Sequence, residues 1–258
     1  MSEHIIYHIA DGIATLTLNR PKVLNAINYD LLKELDELLD QAAADDSLRV
    51  LILTGSGKAF AAGADIAQQA RMDQEEAAKW GQYGSGIFRR LECFPIPTLA
   101  VVNGYALGGG CEMAMACDLI LAGEKAKFGQ PETGLGITPG FSGTQRLLRR
   151  VGVSKAKELI YTGRMIDAQE ALQIGLADHI YPDDQLQAEA LAMAKKIAAN
   201  APVAVRYAKC AINEGAQADI DAAIAIENKW FSKCFATQDQ KEGMQAFLEK
   251  RKATFLNK

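Results

Sequence analysis

The sequence has few of the residues that metal centres and nucleic-acid interfaces require. It holds three histidines, none of them near a cysteine, and its five cysteines show no C-x-x-C spacing, so we expect no metal site. The net charge is −4 at pH 7, whereas nucleic-acid binding usually shows as a basic excess. No apolar run approaches the roughly 18 residues of a membrane span. We therefore expect neither a nucleic-acid nor a membrane partner.

The overall composition is that of an ordinary globular protein. Of 258 residues, 49% are hydrophobic and 23% charged, which argues against disorder. We interpret the cysteines as small core residues in a reducing compartment. Residues 1–6 lack a signal or transit pattern, so we expect a cytoplasmic protein.

Strand and helix patterns alternate in the earlier part of the chain. Asn28 can cap a helix with apolar residues at 3.6-residue spacing, and compact apolar runs predict strands at 13–18, 50–54, 98–102 and 119–121. Strands separated by helices imply right-handed crossovers and a mainly parallel sheet, hence an α/β fold. From about Asp184 the pattern predicts helices alone, near 185–199, 202–214, 219–236 and 238–251.

Three glycine-rich stretches resemble known motifs without matching them. Near Gly55, a phosphate loop would need a glycine where Ile52 stands and a Ser or Thr where Ala59 stands. Thr144 replaces the second glycine of a nucleophile elbow. Met113 replaces the last glycine of a dinucleotide fingerprint. The sequence thus predicts no nucleotide phosphate loop, serine hydrolase or NAD site.

Two glutamates in apolar, glycine-rich surroundings remain. Glu112 follows Gly108–Gly110 in the first turn of a predicted helix, where free N–H groups can meet a ligand oxygen. By itself such a carboxylate is more often a partner of the helix dipole than a catalytic acid or base. Glu132 lies twenty residues later, and a third loop at 60–66 follows the strand at 50–54. Ligand sites of open α/β sheets lie beyond the ends of such strands.

At this point the sequence resembles the enoyl-CoA hydratase/isomerase (crotonase) superfamily over essentially its whole length, and most closely the short-chain bacterial members. The motifs occur in family order: Asn19-Arg20-Pro21 with Asn25-Ala26, Ala61–Ile66, Asn103–Glu112, Gly129–Glu132, Pro139-Gly140 with Gly143–Arg146, and the closing 235–251 stretch. The resemblance implies an α/β spiral of ββα units with a C-terminal helical trimerisation region. We expect a spiral core with the acyl-CoA site at 1–195 and a helical oligomerisation region at 196–258.

The resemblance also implies roles for particular residues. The thioester oxygen of an acyl-CoA would lie between the backbone N–H groups of Ala64 and Gly109, which form an oxyanion hole for the developing enolate. Glu112 and Glu132 would hold one water between them. We assign Glu112 as the base toward water and Glu132 as the proton donor to C2; since such a pair titrates together, the opposite labelling stays open. No metal and no cofactor beyond the CoA of the substrate are expected.

Further contacts follow from the same resemblance. Gly140 N–H would lie near the water and Phe141 would close the acyl pocket, favouring short substrates such as crotonyl-CoA. CoA would lie along Ala62 and 64–67, which include the expected contacts Ala64, Asp65, Ile66 and Ala67. Phe231 and Lys250 of a neighbouring subunit would complete the nucleotide pocket, although Lys250 is equally well explained as a solvated charge. The expected assembly is a homotrimer or a homohexamer, a dimer of trimers.

Two alternatives stay open from the sequence. The first is an enoyl-CoA isomerase on the same scaffold. The second is a non-catalytic, RNA-binding or scaffolding subunit. The intact glutamate pair and the absence of a Lys-rich face on the core favour the hydratase over both.

Overall fold

A computed structural model describes residues 4–258, and its first sheet organises the chain. The sheet has six strands in the order β1 (Ile5–Ala10), β2 (Ile13–Leu18), β3 (Val50–Gly55), β5 (Thr98–Val102), β7 (Leu119–Gly123) and β10 (His179–Tyr181). Only the β1–β2 pair is antiparallel; the other neighbours pair in parallel. The apolar runs therefore predicted the central strands correctly, because both faces of a parallel sheet are covered.

The hydrophobic patterns of the sequence did not predict a second, smaller sheet. Its order is β4 (Ala59–Ala61), β6 (Tyr105–Leu107), β8 (Lys127–Gly129) and β9 (Ile166–Asp167). β4, β6 and β8 each follow a strand of the first sheet and precede a helix or helical turn, and β4 to β8 pair in parallel. The chain thus repeats a ββα unit, and the segments that leave these three short strands lie side by side.

The helices cover the sheets, and two of them begin directly after residues whose side chains cap the helix N-terminus. Asn28 accepts from Leu31 N–H at 3.0 Å and caps the first helix as predicted, and Asp73 forms a capping box with Glu76. The α-helices of the ββα region are α1 (Tyr29–Ala43), α2 (Ile66–Gln69), α3 (Gln74–Glu92), α4 (Gly109–Met115), α5 (Gly143–Val151), α6 (Val153–Thr162) and α7 (Ala168–Gln173).

The helices expected after Asp184 are confirmed as α8 (Leu186–Ala198), α9 (Pro202–Gly215), α10 (Ile220–Cys234) and α11 (Gln238–Leu248). α8 packs its apolar face on the first sheet through Leu186, Ala190 and Ala194. By contrast, α9 and α10 pack against each other and bury none of their residues fully in the single chain. The division at residues 195 and 196 stays a prediction, and α8 runs across it.

The cysteines correct one expectation. Cys111 and Cys117 are buried as predicted, but Cys93 is exposed and Cys210 and Cys234 are half-buried. Cys93 is the C-cap residue of α3, and the other two lie on α9 and α10. Their burial follows that of their helices rather than their own hydrophobicity.

Candidate active site

A cavity of about 580 Å³ opens where β4, β6 and β8 end. The three segments that follow these strands form its polar side, and α3 with the segment before α5 forms its apolar side. Its walls include Ala62, Gly63, Ala64, Ile66, Met72, Ala77, Trp80, Gly108, Gly109, Glu112, Glu132, Leu135, Ile137, Gly140 and Phe141. The repeated units thus bring together residues that are far apart in sequence.

Glu112 is held from the side of α5. Its Oε1 accepts N–H groups from Phe141 at 2.8 Å and from Gly143 at 2.5 Å, while α4 presents it from the first helical turn. A Cβ on Gly143 would lie 2.8 Å from this oxygen, so glycine is required for the approach. The carboxylate is buried and fixed at one oxygen, which leaves Oε2 free of these two bonds.

Glu132 belongs to a 3-10 helix, Pro131–Leu135, that follows β8. The Gln130 amide, turned so that its nitrogen faces Glu132, donates to both carboxylate oxygens at 3.2 Å. Gly108 leaves room for this side chain, since a Cβ there would lie 2.6 Å from Glu132 Oε1. Gly108 also has φ +49, a conformation that glycine adopts readily.

Both glutamates have pKa values far above the usual range of a carboxyl group. Burial, followed by the charge of Glu132, raises the pKa of Glu112 to about 7, against the lowering effect of its two backbone hydrogen bonds and of Arg146. Burial raises the pKa of Glu132 to about 7 as well. The charge of Glu132 acts on Glu112, so the titrations of the two carboxyl groups are linked. With pKa values of about 7, either group can accept or donate a proton near neutrality.

Two backbone N–H groups line the same cavity. Ile27 N–H donates to Gly63 O at 2.9 Å and Asp65 N–H to Ile27 O at 2.8 Å, and across residues 4–258 no acceptor is found for the Ala64 N–H between them. Gly109 is the first residue of α4, so its N–H has no partner within the helix. Such donors can stabilise an oxygen that becomes negative during a reaction.

The close packing of these two loops depends on Gly110. A Cβ on this residue would lie 1.9 Å from the carbonyl oxygen of Ala61. Because that oxygen belongs to the backbone and cannot move aside, only glycine fits at this position. α4 therefore packs directly against β4, and this contact sets the spacing between the loop that carries Ala64 and the start of α4.

The far end of the cavity is aromatic. Phe141 is buried and packs edge-on against Trp80, with ring centroids 5.2 Å apart, and against Phe88 at 5.3 Å. Gly84 of α3 lies beneath the Phe141 ring, and a Cβ there would lie 2.3 Å from it. Phe141 thus lines the cavity, and its place at the end of an acyl pocket stays a prediction.

The other residues predicted for CoA binding divide into two groups. Ala62, Ile66 and Gly140 line the cavity. Asp65 precedes α2 and faces Arg20 at 3.4 Å, Ala67 lies exposed on α2, and Phe231 and Lys250 lie exposed on α10 and after α11. The cavity of a single chain is formed without these four, and their contacts with CoA stay predictions.

Sequence reasoning missed Trp80, Gln130 and Arg146. Trp80 shares the buried face of α3 with Gly84 and Phe88, a 3.6-residue pattern that could have revealed the helix but not that it lines the cavity. Gln130 and Arg146 lay within quoted motifs, yet only the fold shows which groups they contact. No group of three or more metal-ligating side chains occurs in the described part of the chain.

Comparison with known proteins identifies this arrangement. The family model for enoyl-CoA hydratase/isomerase matches residues 8–258. The chain belongs to the enoyl-CoA hydratase/isomerase family. It is 53% identical over 250 residues, 96% of each chain, to the short-chain-enoyl-CoA hydratase of Clostridium acetobutylicum. It is 51% identical over 257 residues, 99% of each, to the crotonyl-CoA hydratase of Syntrophomonas wolfei.

Solved structures of the family share the fold over the full chain. The enoyl-CoA hydratase of Bacillus anthracis superposes with a TM-score of 0.96 at 42% identity, covering 99% of this chain and 100% of that one. The expected crotonase fold is therefore confirmed, including the second sheet that periodicity did not reveal. Within residues 4–258, no helix is both long and apolar enough to cross a membrane.

Proposed function

We propose that this member of the enoyl-CoA hydratase/isomerase family is a hydro-lyase that catalyses the reversible syn hydration of short-chain trans-2-enoyl-CoA, with crotonyl-CoA as substrate, to 3-hydroxyacyl-CoA. The observation that carries the proposal is the pair of buried glutamates, both with raised pKa, in one cavity with two free N–H donors. The names of the two curated relatives given above support the same reaction.

In the proposed mechanism the ionised Glu112 takes a proton from water as the water oxygen bonds to C3. The C2=C3 electrons shift toward the thioester, and its oxygen becomes negative between the N–H groups of Ala64 and Gly109. One preorganised donor of this kind typically contributes about 2.7–4 kcal/mol. Protonated Glu132 then delivers its proton to C2. The pair exchanges its proton before the next turnover, so the chemistry calls for no cofactor beyond CoA.

The short-chain preference is part of the proposal. Trp80 and Phe141 close the acyl end of the cavity with two large rings that are fixed against each other and against Phe88. Extra methylene groups would have to displace these rings, and overpacking of this kind typically costs about 1–3 kcal/mol. A four-carbon acyl group leaves them in place.

The test follows the loss of the enoyl-thioester absorbance of crotonyl-CoA, with 3-enoyl-CoA as the competing substrate. We expect Glu112→Gln and Glu132→Gln each to lower kcat by about 10³-fold or more with the assembly intact, because each removes one proton-transfer partner. The double variant should lose far less than the product of the single losses, since the pair acts as a unit.

Three outcomes decide between the candidate functions. Faster turnover of 3-enoyl-CoA than of crotonyl-CoA would identify an isomerase. Turnover of neither substrate would indicate a non-catalytic subunit. Near-normal activity of either glutamine variant would remove that glutamate from the mechanism while leaving the reaction itself assigned.

A further inference from the structure

Arg146 is a buried arginine that the proposed mechanism does not use. It lies on α5, only 8% exposed, and its guanidinium spans two partners. Nη1 donates to the carbonyl of Phe141 at 3.0 Å, and Nη2 donates to Glu92 Oε2 at 3.0 Å. It thus ties the segment that precedes α5 to the C-terminal end of α3.

The Phe141 peptide links this arginine to the active site. The carbonyl of Phe141 is held by Arg146, and the N–H of the same residue donates to Glu112 Oε1. Gly143 N–H, two residues later, donates to the same oxygen. The segment is conformationally unusual, because Ser142 between them has φ +77, which residues other than glycine rarely adopt. The contact of Arg146 with the Phe141 carbonyl therefore helps to keep both N–H groups aimed at Glu112.

Arg146 acts from outside the substrate cavity. It is not among the residues that line the substrate cavity, and it lines a second cavity of about 570 Å³ together with Glu92 and Lys209 of α9. We propose that Arg146 is a positioning residue: by holding the Phe141 carbonyl against Glu92, it keeps the N–H groups of Phe141 and Gly143 in place on Glu112 Oε1. This inference rests on the proposed function for its kinetic consequences.

Two effects of Arg146 on Glu112 add up. Its positive charge lowers the pKa of Glu112, opposing burial and the charge of Glu132, and the N–H groups that it positions also favour the ionised form. The charged groups that act on Glu112 are thus Glu132 and Arg146, while its neighbour Cys111 is a neutral thiol whose pKa burial raises to about 12. Loss of Arg146 should raise the pKa of Glu112 further and reduce the ionised base at a given pH.

The test compares the pH dependence of kcat/KM for crotonyl-CoA in four variants. In Arg146→Met we expect the acid limb to move up by about one pH unit and kcat to fall at least tenfold. Arg146→Lys keeps the charge but cannot hold both partners in a planar fork, so its acid limb should move up less than that of Arg146→Met, while kcat still falls. In Glu92→Gln the amide oxygen can still accept the hydrogen bond from Arg146, but the negative charge of Glu92 no longer neutralises the positive charge of the guanidinium. The pKa of Glu112 should therefore fall, and the acid limb should move to lower pH.

Arg149→Met is the matched control. Arg149 lies on the same helix, is exposed, and donates to Gln145 of its own turn, so its loss should leave the pH profile unchanged. An acid limb that stays in place in folded Arg146→Met, or that moves equally in Arg149→Met, would overturn the inference. Should Arg146→Met not fold, Arg146→Lys and Glu92→Gln decide: an acid limb and a kcat equal to those of the wild type in both variants would overturn the inference.

An infrared titration of the protonated carboxyl band, assigned by its loss in Glu112→Gln, reports the same pKa without substrate. If the wild type does not hydrate crotonyl-CoA but the band titrates at higher pH in Arg146→Met, the proposed function fails and the positioning role stands. If the wild type is active but the band does not move, only the positioning role fails.

Discussion

At the scale of residues, the site depends on placing two acids where water solvates them poorly. Glu112 is compensated by two N–H donors, whereas Glu132 faces chiefly the Gln130 amide. A carboxyl group whose pKa is raised by burial binds its proton more tightly in the folded chain than in the unfolded one. Such a group lowers the free energy of unfolding at any pH at which it ionises. Strongly raised pKa values of this kind are typical of carboxyl groups at functional sites.

This cost gives a pH-dependent prediction for Glu132→Gln. Between the unfolded pKa near 4.5 and the folded pKa of about 7, the folded state binds more protons, so stability falls as pH rises through this window. The glutamine variant lacks that loss. We expect it to have a higher Tm than the wild type at pH 8, by a margin equivalent to about 1–3 kcal/mol, and a similar Tm at pH 5.

Differential scanning calorimetry at the two pH values checks the sign. The control is Glu158→Gln, whose partners are Lys155 and Arg164 on the surface and whose pKa is lowered by their hydrogen bonds. It should be no more stable than the wild type at pH 8. Equal Tm values of Glu132→Gln and wild type at pH 8 would show that Glu132 ionises without cost.

The sequence could predict the residues proposed to touch the substrate better than those that support them. Glu112, Glu132, Ala64 and Gly109 follow from motifs in family order, and all four line one cavity. Arg146 also lies in a quoted motif, but its contact with the Phe141 carbonyl depends on a turn at Ser142 that no periodicity describes. Local patterns report secondary structure, whereas such contacts depend on how distant segments meet.

At the scale of elements, long strands were predictable and short ones were not. β3 and β5 have six and five residues, and each contains four consecutive apolar residues. β4, β6 and β8 have three residues each, too few to show an alternating pattern, although the site lies at their ends. Their pairing depends on contacts such as that of Gly110 with Ala61, which only the folded chain reveals.

The contact between α3 and the segment before α5 gives a prediction about chain length. Phe141 fills the space between these elements above Gly84 and beside Trp80. In Phe141→Ala the backbone N–H on Glu112 remains while the ring is lost. We therefore expect kcat/KM for 2-octenoyl-CoA to rise relative to crotonyl-CoA by about tenfold, since roughly 1.4 kcal/mol of steric cost is removed.

A series of 2-enoyl-CoA substrates from four to ten carbons checks this expectation. Phe88→Leu provides the control, because Phe88 packs behind Phe141 and outside the cavity wall, and it should change the ratio much less. An unchanged preference in Phe141→Ala would place the end of the acyl pocket elsewhere.

At the scale of the whole molecule, the C-terminal helices are incomplete as a single chain. Apolar side chains of α9, α10 and α11 lie largely exposed, among them Ile212, Ile220, Ile224, Phe231, Phe247 and Leu248. Soluble monomers rarely expose contiguous apolar patches of this kind. This supports the proposal of a trimer or a dimer of trimers, in which Phe231 and Lys250 would reach the CoA site of a neighbour.

Light scattering tests the assembly directly. We expect the wild type to have three or six times the chain mass of 27.9 kDa. The paired change Ile220→Asp and Ile224→Asp, one turn apart on α10, should lower the mass toward one chain by placing charges at the interface. Tyr161→Asp alters an equally exposed residue of α6 and should leave the mass unchanged. Equal masses of all three would locate the interface away from α10.

The two helices that bury none of their residues fully within their own subunit, α9 and α10, have a further consequence. If their apolar faces are covered only by other copies, then the free energy that holds the C-terminal region together depends on how many copies are present. Dilution should then slowly destabilise this enzyme. A preparation kept at nanomolar concentration would lose activity over time although no covalent bond in it has changed.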